Sequence, residues 1–172
     1  MLPSGCHVSS TLRKCNDYMG NHVHGSEPAS CSLENCRHVK FLANGLLSAH
    51  SDISKKIQQA LLCNSDDATR ALVEVIKFIW LAANSSEGRL SPSHRVDLAW
   101  HELILFTLVY HEFCHEQFGR FVHHHPGGNH HENRQRLTLT ERCYQETFGQ
   151  PPQDFWGNLS VNFSSCGNCE SE

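Results

Sequence analysis

Apolar residues recur along this chain at helical spacing, and no strand-like alternation runs for more than a few residues. Val39, Phe41, Leu42, Leu46 and Leu47 fit a helix from about Cys36 to His50. A second opens at Ser51-Asp52, a capping signal, and carries Ile53, Ile57, Leu61 and Leu62. Asp66-Asp67 start a longer helix, ATRALVEVIKFIWLAAN, that ends near Asn84. Glu74 interrupts its apolar run, either on a solvated side or as a carboxylate facing the neighbouring helix. A final helix over roughly residues 132–147 is stopped by Gly149 and Pro151-Pro152.

The dominant stretch is 91–126, SPSHRVDLAWHELILFTLVYHEFCHEQFGRFVHHHP. Ser91-Pro92 suits a helix start and Gly119 a stop, which predicts one helix of about 27 residues and about 40 Å. Its apolar residues fall on every side, including Trp100, Leu105, Phe106, Leu108 and Phe113, and a helix apolar all round is a buried one. Asp97, His101, Ile104, Leu108, His111 and His115 form one stripe along it, while Leu103, Thr107, Tyr110 and Cys114 form another. Ionisable groups on a buried helix need a hydrogen-bond partner, an opposite charge or a metal. The expected fold is all-α, a single-domain bundle of about five helices around this long central one. Residues 1–35 read as a Cys/His-rich arm, 36–157 as the bundle and 158–172 as a tail.

Composition sharpens the chemistry. Fourteen histidines and nine cysteines in 172 residues are an excess, and the odd cysteine number favours metal or redox chemistry over a disulfide frame. The formal charge of −4 and the lack of a basic cluster argue against nucleic acid or an anionic membrane as partner. The N-terminus MLPSGCHVSS lacks the build of a signal peptide, and no apolar run reaches the roughly 18–20 residues that span a bilayer. A soluble, cytoplasmic protein with a small-molecule or peptide partner is the expectation.

Distance restricts how the polar residues combine. Ten residues of helix put His101 and His111 about 15 Å apart, so they cannot share one ion. Asp97 and His101, one turn apart, can share an ion or pair as carboxylate and imidazole. His111-Glu112-Phe113-Cys114-His115 spells H-E-x-x-H, the pattern in which two histidines bind zinc and a glutamate activates water. Against it, Glu116 adds a charge, and Gly119 and His123 lie too far along for the usual continuation. His123-His124-His125 can offer one or two ligands, since adjacent side chains cannot all point one way. Cys166-x2-Cys169 is the best chelate spacing in the chain, and Cys31 with Cys36 can complete such a site.

With these residues in hand, the stretch resembles the family of plant glycine-rich domain-containing proteins and their short bacterial relatives. Its pattern P-S-x-x-V-D-x-x-W-H-x-H-I-L-x-T-x-x-Y-x-x-F-C-x4-G-x-[FY]-L-H-H-x-P is matched at Val96, Asp97, Trp100, His101, Ile104, Leu105, Thr107, Tyr110, Phe113, Cys114, Gly119, Phe121, His123, His124 and Pro126. Phe148-Gly149, Pro151-Pro152, Trp156 and Cys166/Cys169 agree too, so the likeness covers roughly 70–170. It implies fold and motif but no reaction. Leu103 stands where the pattern has its second histidine, and His111 and His115 fall at positions it leaves open.

Three functional readings follow. The first is a metal-binding helical protein, a non-haem metalloenzyme with His101 and His123 or His124 as ligands and Asp97 as ligand or orienting carboxylate. Tyr110 and Cys114 would line the same pocket and take part in catalysis, and the mixed donors admit zinc, iron or copper. Iron or copper would imply an oxidoreductase, zinc a hydrolase or a structural site. The second is a non-catalytic interaction module whose Asp97, Trp100, His101 and Tyr110 form a buried, ion-free network. The third is an H-E-x-x-H zinc hydrolase built on His111, Glu112 and His115.

Overall fold

The computed structural model describes residues 29–86, 88–127 and 129–157. Among them are seven helices and no strand: α1 (Ala29–Ala49), α2 (Ser51–Leu61), α3 (Ser65–Asn84), α4 (His94–Leu105), α5 (Thr107–Phe118), α6 (His130–Phe148) and α7 (Gln153–Trp156). The expected all-α bundle is what forms. Helix α1 begins at Ala29, earlier than the spacing of its apolar residues suggested. None of the described helices is long and apolar enough to cross a membrane.

The helix at the centre is α3, which packs against α1, α2, α4 and α6. Asn64 caps it by accepting from the Asp67 amide at 2.9 Å, and Asp66 and Asp67 place negative charge at the positive end of its dipole. Every residue from Ala71 to Leu81 is buried, Glu74 and Lys77 included. Apolar burial on this scale contributes about 25 cal/mol per Å², which makes the α3 face the main source of stability.

The expected single helix over 91–118 is divided at Phe106, whose φ of −82° and ψ of 62° leave the helical region. Its N–H turns back to the Leu103 carbonyl at 3.1 Å, and α5 starts afresh with Tyr110 N–H donating to Phe106 O. No Gly or Pro marks the break. What accompanies it is a tertiary bond, Trp100 Nε1–H donating to Tyr110 Oη at 3.1 Å. Ten residues of unbroken helix would hold these two backbones about 15 Å apart. The continuous polar stripe therefore does not exist. Nor is the apolar ring wholly buried, since Leu105 and Leu108 are 71% and 68% exposed.

The start of α4 lies at Ser93 rather than Ser91. Ser93 Oγ accepts from the Val96 amide and donates to the Phe155 carbonyl at 2.7 Å, tying α4 to α7. Arg70 and Arg95 cover the Phe155 ring at 5.0 and 4.7 Å, and Arg70 pairs with Asp154. The register of the α4 N-terminus, and with it Asp97, is held by these contacts.

Candidate metal centre

Asp97 and His101 sit one turn apart on α4, and the third member arrives from the loop after α5. That helix ends at Gly119, whose left-handed φ of 67° suits a residue without Cβ. The chain then doubles back, and the buried Val122 carbonyl accepts from Tyr110 Oη at 2.7 Å. Trp100, wedged edge-on against Phe78 of α3 at 5.2 Å, completes a Trp100–Tyr110–Val122 chain of hydrogen bonds. Two residues beyond Val122, His124 stands edge-on to Trp100 with ring centroids 4.7 Å apart.

In this position His124 Nε2 is 2.9 Å from Asp97 Oδ1, and His101 Nδ1 is 3.6 Å from Asp97 Oδ2. The two imidazole rings lie 4.4 Å apart. One nitrogen or oxygen from each residue falls within 4.8 Å of the others, and no other three His, Cys, Asp or Glu side chains among the described residues meet that condition. Side-chain exposure is 20% for Asp97, 16% for His124 and 43% for His101, so the cluster is accessible from solvent. It opens on a cleft of about 500 Å³ whose floor is Phe78, Trp100 and Val122.

Tyr110 and Cys114 are not part of the cleft lining. Both are buried behind it, contrary to the expectation that they face the same pocket as His101, because Tyr110 turns inward to reach Trp100 and Val122. Burial pushes the Tyr110 hydroxyl far up from its usual value and raises the Cys114 thiol as well. A thiol held protonated is a poor metal ligand. The donors at the cluster are thus nitrogen and oxygen alone.

His123 and His125 line the same cleft but stand outside the donor cluster, with His123 against Phe121 at 4.7 Å. The His111 and His115 rings lie 4.4 Å apart on an exposed side of α5, where Glu112 is exposed too. No third ligand residue joins them among the described residues. Cys166 and Cys169 lie outside the described residues, while the Cys36 thiol donates to the Phe148 carbonyl at 3.7 Å.

Two groups take a place that the sequence reading did not assign. Glu74, for which a solvated side and a carboxylate facing the neighbouring helix were both expected, is buried and accepts from Lys77 Nζ at 2.9 Å, Tyr144 Oη at 2.7 Å and Trp156 Nε1 at 2.8 Å. The signal was there: an acid and a base three residues apart inside an apolar run. The other group is Arg89, Arg120 and Arg136 around the cleft, drawn from three separate segments and carrying no local pattern.

A family model described as UCP032817-like matches residues 40–149. No curated protein and no solved structure matches the chain. The match corrects the resemblance to plant glycine-rich domain-containing proteins, for the family is this uncharacterised one. The residues behind that resemblance, Asp97, Trp100, His101 and Tyr110, are those that hold the pocket together, so the pattern reports a local arrangement rather than that parentage.

Proposed function

The chain belongs to the UCP032817-like family, and from the geometry of its cleft we propose that it is a metal-binding helical protein whose ion is held by Asp97, His101 and His124. The observation that carries this is the convergence of two imidazoles and one carboxylate, from segments 27 positions apart in sequence, at the mouth of a cleft. Two histidines and one carboxylate leave coordination positions free for a substrate, a donor set that suits zinc or non-haem iron(II). A bound ion would supply Lewis acidity, and iron would add redox chemistry.

The protein's own residues prepare the site. Asp97 orients the His124 ring through their hydrogen bond and lies 3.6 Å from His101; the Trp100–Tyr110–Val122 chain sets the height of His124 against α4. The apolar floor limits water on one side, which strengthens electrostatic contacts at the cluster. A metalloenzyme acting on a small molecule is the reading this arrangement supports best.

The ion-free interaction module draws on a different observation, the 2.9 Å Asp97–His124 hydrogen bond, which satisfies both groups without a cation. Metal analysis of untagged protein separates the two. The expected result is bound zinc or iron that falls by one equivalent in His101→Ala and in His124→Ala, with helicity by circular dichroism unchanged. Metal content identical to wild type in both variants would sink the proposal.

A further inference from the structure

Three arginines, Arg89 from the α3–α4 connection, Arg120 from the loop after α5 and Arg136 from α6, line the same cleft as Asp97. Among the described residues that line the cleft Asp97 is the one carboxylate, so these residues carry a surplus of positive charge in a chain whose formal charge is −4. The arginines differ in what occupies them. Arg120 donates to the Ala82 carbonyl at 3.0 Å, a neutral partner that leaves its charge uncompensated. Arg136 is shared with Glu132, which is half exposed. Arg89 pairs with no carboxylate among the described residues.

We infer that the ligand of this cleft is a small anion carrying a carboxylate or phosphate group, which meets Arg89, Arg120 and Arg136 while its reacting end faces Asp97, His101 and His124. Guanidinium forks match the paired oxygens of such groups, and a concave, low-dielectric floor strengthens the attraction. The volume of about 500 Å³ fits a metabolite-sized molecule rather than a folded partner. The placement of the reacting end rests on the metal-site reading; the arginine contacts stand without it.

Calorimetric titration of the full chain tests this. Succinate, inorganic phosphate and the neutral isostere succinamide are titrated into metal-stripped protein, and succinate also into protein carrying one equivalent of zinc. Saturable binding of succinate or phosphate, absent for succinamide and weakened by added NaCl, is expected. A preference for phosphate points to a phosphorylated ligand, and a preference for succinate to a carboxylic acid. Arg89→Gln, a change on an exposed side chain outside the packed core, should weaken binding about tenfold with zinc content unchanged. Arg136→Gln should do the same. Equal affinity for succinamide, no saturable anion binding, or an Arg89→Gln variant that binds as wild type does would overturn the inference. Zinc retained in His101→Ala would defeat the metal reading alone, and anion indifference in zinc-loaded wild type would defeat this one alone.

Discussion

The hydroxyl of Tyr110 donates to the carbonyl of Val122 at 2.7 Å, and this contact sets where His124 stands. Tyr110 also accepts from Trp100, so one oxygen joins α4, α5 and the returning loop. Neither Tyr110 nor Trp100 belongs to the donor cluster. Their part in the proposed site is to hold the loop at the height where an imidazole meets Asp97.

Replacement of Tyr110 by Phe therefore separates positioning from folding. It leaves the Trp100 N–H and the Val122 carbonyl without that partner, and stability should fall by about 1–3 kcal/mol. Metal affinity should fall by about tenfold or more, because groups that orient ligands act at that scale. Urea denaturation followed by zinc competition against a chromophoric chelator measures the two effects on one sample. Unchanged zinc affinity in a destabilised variant would leave Tyr110 with a purely structural part.

The exposed histidine pair on α5 provides a control. His111→Ala should leave metal stoichiometry as in wild type, because no third ligand stands beside His111 and His115 among the described residues. Mass spectrometry under native conditions counts the ions. A loss equal to that in His124→Ala would move the site to α5.

Glu74 and Lys77 form a buried ion pair with side chains 6% and 10% exposed, and Tyr144 and Trp156 take up the remaining capacity of the carboxylate. Removing one partner strands the other charge in the core, so Lys77→Met should cost about 3–5 kcal/mol. The double replacement Glu74→Leu with Lys77→Met removes both charges and should recover a large part of that loss. Chemical denaturation of the three variants gives the comparison. A double variant weaker than the single one would show that the network contributes more than charge compensation.

Alkali should unfold the protein through the buried Tyr110 and Tyr144. Burial, with the Cys114 thiol beside Tyr110 and the Glu74 carboxylate beside Tyr144, raises both hydroxyls well above their usual value. An unfolded tyrosine ionises near about 10, so above that pH the folded chain keeps protons that the unfolded chain has released. Stability is then complete below about pH 10 and declines as the pH rises further. Urea midpoints at rising pH should show that decline, and Tyr144→Phe should flatten it.

Cys114 is wholly buried and its thiol is raised by burial. Iodoacetamide at mildly alkaline pH should leave it unmodified until denaturant is added, as peptide mapping would reveal. Rapid labelling in the folded protein would mean that the α5 core opens readily.

How much could be foreseen differs from element to element. Helices α2 and α3 followed from apolar spacing, which acts within a turn or two, and α6 from the Gly149 and Pro151-Pro152 stop after it, although α2 starts after His50 with no side-chain cap rather than on a Ser51-Asp52 cap. The division at Phe106 left no local trace, for it lacks a breaking residue and accompanies a contact between side chains ten positions apart. The expectation that a helix apolar on every side is buried fitted α3 and failed at Leu105 and Leu108, because burial depends on which faces the neighbours cover. Arg89, Arg120 and Arg136 share a cleft only because distant segments meet there.

By itself the order of residues determined that the fold is helical and that Asp97 and His101 are neighbours, since four positions along an α-helix bring two side chains onto one face. Tertiary structure alone decided that His124, rather than His123 or the pair on α5, comes to meet them. A histidine triplet on a loop has no intrinsic direction; the bond from Tyr110 to the Val122 carbonyl supplies one.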